Sequence, residues 1–96
     1  MKFAFIIMGN FDARRDRAAI HNGTAQVVGV PDIGEACAAA KALCETGVGC
    51  IELCGAFGAE GAKKVIDATG NQIPIGYVTH LPEQEEIYKS AFPKAE

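Results

Sequence analysis

Two stretches of the sequence combine residue types that bind or transform small molecules. The segment from Cys50 to Lys64 is typical of a strand, a glycine-rich turn and the start of a helix. Such a helix start leaves backbone N–H groups without intrahelical partners, and they point toward whatever lies beyond the strand end. The stretch around Thr79 and His80 ends another predicted strand just before Pro82. An imidazole at that position suits proton transfer near neutral pH.

Three glycines, Gly55, Gly58 and Gly61, follow the first of these strands at intervals of three residues. Glycines allow close backbone approach, so the turn can hold an anion at the helix N-terminus. The spacing matches neither the dinucleotide-binding fingerprint nor the P-loop, because no Lys-Ser or Lys-Thr pair follows the last glycine. A tight turn with close helix packing explains the same pattern equally well.

Glu52 is the only charged residue in its predicted strand. Strand alternation places it on the same face as Cys50 and Cys54. A partly buried carboxylate is a candidate general acid or base, and an ion pair at an edge or interface is the commoner alternative. Cys54 ends the strand, where a helix N-terminus favours a reactive thiolate, although a core thiol is the alternative. Cys50 and Cys54 lie about 13 Å apart in a strand, too far for one metal ion or a disulfide.

The polar segment after the first strand supplies further candidates. Asp12 can cap a short helix, and Arg14 and Arg17 on one face of that helix can clamp a carboxylate or phosphate. A solvated charged face is the commoner fate of such a run. The predicted catalytic residues are Glu52, His80 and Asp12. The predicted ligand-binding residues are Gly9, Asn10, Arg14, Arg17, His21, Cys54, Gly55, Phe57, Gly58 and Thr79.

A series of βα units must position these residues. Apolar runs predict strands over 3–8, 25–30, 48–54 and 73–79, and helical periodicity predicts helices over 32–46, 59–69 and 83–92. Residues 13–20 are a short helix or an ordered loop. The prediction is a small four-stranded, mostly parallel α/β sheet with three or four helices, or alternatively a half-barrel of βα units. Ligands of parallel sheets bind beyond the carboxyl ends of the strands, where these candidates converge.

The helical patterns also predict which residues are buried. Asp32 and Glu35 form a variant of the capping box, and Gly47 and Gly70 are placed to end the first two helices. The predicted inward stripes are Ile33, Ala36, Cys37, Ala40, Leu43 and Cys44 in the first helix, Ala62, Val65, Ile66 and Thr69 in the second, and Ile87, Ala91 and Phe92 in the last.

Length and charge limit the possible functions. The 96 residues fit one domain spanning 1–96, and the net charge of −3 with only one short basic cluster argues against nucleic-acid binding. The apolar run at 3–8 is too short to span a bilayer and lacks a signal-peptide pattern. We therefore expect a cytoplasmic protein without a membrane partner. Helices on one sheet face leave the other face uncovered, which favours a homo-oligomer.

Four runs of the sequence carry a resemblance: Phe-Ala-Phe-Ile-Ile-Met-Gly at 3–9, Arg-Asp-Arg-Ala-Ala-Ile-His at 15–21, Ile-Glu-Leu-Cys-Gly-Ala-Phe-Gly at 51–58 and Pro-Ile-Gly-Tyr-Val-Thr-His-Leu-Pro at 74–82. They resemble a family of short prokaryotic proteins classed as a domain of unknown function. The resemblance covers nearly the whole chain and implies a compact stand-alone protein. It implies no activity, so no catalytic role follows from it.

Three functional hypotheses follow from the residues. The first is binding of a small anionic metabolite by the amides of residues 55–61, by Arg14 or Arg17, and by His80. The second is a lyase or isomerase in which Glu52, His80 or Asp12 transfers a proton. The third is an oligomeric assembly module without a ligand. The sequence indicates no particular cofactor and no metal site.

Overall fold

Five strands form a single open sheet in a computed structural model that describes residues 1–92. They are β1 (Lys2–Met8), β2 (Arg17–Ile20), β3 (Ala25–Val30), β4 (Val48–Leu53) and β5 (Ile75–Tyr77). Their order across the sheet is β2-β3-β1-β4-β5, and only β2 is antiparallel to its neighbour. The mostly parallel α/β architecture is confirmed. The predicted number of four strands is wrong, and the sheet is open rather than a half-barrel.

Three α-helices and two short 3-10 turns complete the described chain. The helices are α1 (Ile33–Glu45), α2 (Gly58–Ala68) and α3 (Glu85–Ala91), and the turns span Gly55–Phe57 and Pro82–Gln84. The prediction is three or four helices, and residues 1–92 contain three, with a 3-10 turn preceding both α2 and α3. Within residues 1–92, no helix is both long and apolar enough to cross a membrane.

The extra strand comes from residues 13–20, for which a helix or an ordered loop is predicted. The Asp12 carboxylate does cap this segment, but it accepts the Arg14 N–H at 2.9 Å in a single tight turn. β2 then follows, and the chain reverses at His21 and Asn22, whose φ values of 48° and 57° are left-handed. This reversal pairs β2 with the outer edge of β3. Pairing of that free edge outweighs the weak helical pattern.

Helices α1 and α2 cover one face of the sheet. Asp32 caps α1 by accepting the Glu35 N–H at 2.8 Å, and Gly47 and Gly70 end α1 and α2 with φ of 95° and 69°. The predicted stripes hold in both helices, because every residue of each stripe is buried or half-buried. The core consists of Ala4, Ile6, Val28, Val30, Ala36, Ala40, Leu43, Val48, Ile51, Leu53, Phe57, Ala62 and Val65.

The other face of the sheet has no helix over it in the described chain. Because side chains alternate along a strand, the residues next to the buried ones point to this face. They include Phe3, Phe5 and Val27 on the central strands, Ile20 on β2, and Cys50 and Glu52 on β4. We call this surface the open sheet face. Its large apolar side chains remain about 36–69% exposed.

Helix α3 departs from its predicted packing. Ile87, Ala91 and Phe92 are predicted to be buried, yet all three are exposed, Ile87 at 61% and Phe92 at 70%. The helix lies beyond the carboxyl ends of the strands rather than against a sheet face, because the turn at residues 82–84 redirects the chain there. Its contacts are therefore with polar and aromatic residues at the end of the sheet.

Candidate functional site

A cavity of about 720 Å³ lies at the carboxyl ends of β1, β4 and β5. This is the position at which parallel α/β sheets bind ligands. The size is in the range of small-molecule sites, about 300–1,000 Å³. Its walls are formed by Met8, Cys54, Gly55, Ala56, Tyr77, Val78, Thr79, His80, Glu85, Tyr88 and Phe92.

Backbone pairing past the ends of the strands brings these segments together. The Cys54 N–H donates to the Ile6 carbonyl at 3.1 Å, and the Val78 N–H donates to the Leu53 carbonyl at 2.9 Å. The three chain segments therefore leave the sheet side by side. The 3-10 turn that begins at Pro82 then folds α3 back over their ends. Parallel pairing and one proline-led turn are sufficient to build the cavity.

His80 is held by two side chains of α3. Its Nε2 lies 2.7 Å from Glu85 Oε1, and its ring stacks on Tyr88 with centroids 3.9 Å apart and planes inclined by 12°. An ionised carboxylate only accepts hydrogen bonds, so Nε2 carries the proton and Nδ1 remains able to take up another. The hydrogen bond from His80 lowers the pKa of Glu85; slight desolvation opposes this lowering, and the charges of His80 and Lys89 reinforce it.

Cys54 lies across the cavity wall from α3. Its half-buried Sγ accepts the Met8 N–H at 3.3 Å, and the thiol is free of any disulfide. The first hydrogen bond of the following 3-10 turn runs from the Phe57 N–H to the Cys54 carbonyl. The N–H groups of Gly55 and Ala56 precede that bond, so they have no acceptor within the turn itself. The described residues 1–92 contain no group of three or more His, Cys, Asp or Glu side chains arranged to hold a metal ion.

Four of the predicted site residues line this cavity together: Cys54, Gly55, Thr79 and His80. Three other residues of the glycine-rich segment serve the fold rather than the cavity. Phe57 is a core residue, and Gly58 adopts φ 63° and ψ −176°, a conformation nearly restricted to glycine. A Cβ on Gly61 would lie 3.1 Å from Ile33 Cδ1, so this glycine allows α1 and α2 to pack closely.

The candidates that follow β1 lie elsewhere. Asp12 and Arg14 line a second cavity of about 380 Å³ with Phe11, Ala13, Pro31 and Glu35. Gly9 and Asn10 are exposed in the loop that leads there, and Arg17 and His21 belong to the hairpin of β2 and β3. None of these residues lines the larger cavity. The arginines are therefore not placed to act together with His80.

Glu52 points to the open sheet face, between the buried Ile51 and Leu53. Its Oε1 lies 2.9 Å from the position that a Cβ would occupy on the neighbouring Gly76. Burial raises the pKa of the Cys50 thiol, and the nearby Glu52 carboxylate raises it further by its charge and by accepting a weak hydrogen bond at 3.9 Å. Glu52 does not line the cavity that contains His80.

The sequence reasoning missed Glu85 and Tyr88, the two residues that hold His80. A signal for Glu85 was present, because Pro82 predicts a turn directly after His80 and acidic residues fill the following helical turn. Such a turn brings the first residues of the helix back toward the preceding strand end. Tyr88 lies one turn further along the same helix, so it reaches the same histidine.

A model described as a family of unknown function (DUF6506) matches residues 1–93. Neither the curated proteins nor the solved structures gave a match. The family match confirms the resemblance noted in the sequence, and its description assigns no activity.

Proposed function

The chain belongs to this family of unknown function (DUF6506), and we propose that it binds a small organic anion with an apolar body. The observation that carries the proposal is the cavity at the carboxyl ends of β1, β4 and β5, with His80 held in its wall by Glu85 and Tyr88. The apolar part of the ligand would contact Met8 and the aromatic rings. Its anionic group would face the hydrogen-bond donors.

The composition of the wall supports a carboxylate more than a polyphosphate. Within the described chain, no lysine or arginine lines the cavity, and Glu85 contributes a negative charge. Polyphosphates are usually bound with arginine, lysine or a metal ion. Donors in the wall include Thr79, the N–H groups of Gly55 and Ala56 and, with both ring nitrogens protonated, His80. This set suits a single carboxylate. This assignment keeps the backbone amides and His80 of the first hypothesis and omits its arginines.

Thermal unfolding in the presence of ligands tests the proposal. We expect apolar monocarboxylates to raise the Tm of the full chain and nucleotides to have little effect, because a ligand that binds only the folded state stabilises it. His80→Asn should abolish the shift. His21→Asn is the matched control, since His21 lies in the distant hairpin turn and asparagine tolerates its left-handed φ. An equal shift in His80→Asn, or no shift with any carboxylate, would refute binding at this cavity.

A second candidate function is proton transfer on the bound anion, as in a lyase or isomerase. The 2.7 Å contact between His80 and Glu85 favours it, because a carboxylate that fixes one imidazole nitrogen leaves the other free to accept a proton. Glu85 thus takes the role that Glu52 has in the sequence hypothesis. Proton nuclear magnetic resonance in heavy water tests this function.

The expected signal is exchange of a ligand C–H adjacent to its carboxylate. Glu85→Gln should slow this exchange by about a hundredfold while the ligand still binds. Glu86→Gln is the control, because Glu86 is on the same helix and contacts Lys89 rather than His80. Tight binding without any exchange would leave the chain a binding protein and eliminate the enzymatic function.

A further inference from the structure

We infer that the open sheet face is the interface with a second copy of this chain. The face holds Phe3 and Phe5 in an edge-to-face pair with centroids 6.1 Å apart, next to Val27 and Ile20. Helices α1 and α2 cover the opposite face, and α3 lies at the strand ends. Predominantly parallel sheets are normally covered on both faces, and residues 1–92 of a single chain leave this apolar surface without a cover.

The dimensions of the face suit a dimer of modest affinity. Five strands at about 4.8 Å spacing, with on average about five residues at 3.3 Å rise, give roughly 400 Å² of flat area per copy. Because side chains make the surface uneven, the accessible surface area buried on both copies together is about 1,000 Å². This is the level at which specific interfaces begin. We therefore expect dissociation in the micromolar range rather than an obligate dimer.

The distribution of charge favours a copy of the chain over other partners. Alternation places Glu52 as the only charged strand residue on this face, while Lys2 and Arg17 point to the opposite face. A nucleic acid or an anionic membrane would require clustered lysines and arginines. The apolar side chains of the central strands instead match an identical apolar surface, which a two-fold axis provides.

The strand order fixes where that axis can pass. β1 is the central strand, so an axis along it places Phe5 against Phe5 of the partner copy. Glu52 is on the adjacent strand, and the two carboxylates are then offset by two strand spacings, about 10 Å. At that offset the two carboxylates do not contact each other across the interface. Phe5 therefore becomes the central residue of the interface.

Analytical ultracentrifugation of the full chain over a wide concentration range tests the interface. We expect a monomer–dimer equilibrium in the unmodified chain and at least about thirtyfold weaker dimerisation in Phe5→Asp. Ile87→Asp is the control, because Ile87 is also a large exposed apolar residue but lies on α3. Val27→Asp is a second variant at the interface if Phe5→Asp fails to fold by circular dichroism.

A second measurement reports on the same surface without a substitution. Alkylation of Cys50, followed by mass spectrometry at that residue, should slow as the protein concentration rises, whereas alkylation of Cys44 on α1 should not change. A chain that stays monomeric at all concentrations would overturn the inference. So would a dimer that survives in both interface variants, dissociation by Ile87→Asp, or binding of the monomer to lipid vesicles through Phe5.

Discussion

Helices α2 and α3 both follow a 3-10 turn at the end of a parallel strand, yet they use their residues differently. α2 buries Gly61, Ala62 and Val65 against α1 and the sheet, whereas α3 buries no residue and is held by Glu85 and Tyr88 against His80. The first helix stabilises the fold by removing apolar surface from water. The second contributes polar and aromatic groups to the cavity, and its apolar side chains stay in solvent.

Placing an aspartate in each helix gives the largest expected difference between them. Val65→Asp buries an unpaired carboxylate at a residue with no solvent exposure, and we expect it to destabilise the chain by more than about 4 kcal/mol or to prevent folding. Ile87→Asp should change the free energy of unfolding by less than about 0.5 kcal/mol. Urea denaturation measures both. Comparable losses would mean that α3 belongs to the folded core.

The same contrast explains what the sequence could predict. The stripes of α1 and α2 were predictable because periodic apolar residues face a sheet, which is the usual environment of a helix in a βα unit. The pattern of α3 includes Ile87 and Phe92 at similar spacing, but the turn after Pro82 places that helix at the end of the sheet. Periodicity reports that a helix has an apolar side and does not report what that side contacts.

The prediction of the site was also right for some residues and wrong for others. Cys54, Gly55, Thr79 and His80 could be placed at one edge of the sheet because the carboxyl ends of adjacent parallel strands converge. Asp12, Arg14 and Arg17 also follow a parallel strand, yet β2 draws that segment away toward the edge of the sheet. A four-residue strand whose stability depends on pairing with β3 leaves almost no local signal in the sequence.

The turns before the two helices differ in backbone strain. A substitution in the strained turn should therefore reduce stability by an amount between those expected for Val65→Asp and Ile87→Asp. Gly58 joins its 3-10 turn to α2 at φ 63° and ψ −176°, whereas Glu85, in the same position before α3, has the ordinary helical values φ −57° and ψ −47°. We expect Gly58→Ala to cost about 1–3 kcal/mol although no atom lies near the new Cβ.

Gly34→Ala is the matched control for this backbone effect. Gly34 lies in the first turn of α1, where a Cβ would be in ordinary contact with Asp32 at 3.4 Å. Alanine is the better helix former, so we expect this variant to be as stable as the unmodified chain or up to about 1 kcal/mol more stable. Both values come from urea unfolding curves. A Gly58→Ala variant as stable as Gly34→Ala would show that the turn relaxes without penalty.

The smallest effect concerns the polar attachment of α3, and it depends on pH. Because His80 lowers the pKa of Glu85, the ionised carboxylate is favoured when α3 is docked, and its contribution is present above the unfolded pKa. That contribution disappears as the pH falls through the lowered pKa. The ring-current shift that Tyr88 imposes on the His80 protons should therefore decrease in acid, while amides of α2 remain protected from exchange.

Glu85→Gln should show the decreased shift already at neutral pH and no acid transition of this kind, whereas Glu86→Gln should titrate like the unmodified chain. An unchanged ring-current shift in Glu85→Gln would mean that stacking alone docks α3, and the two helices would then both depend on nonpolar contacts.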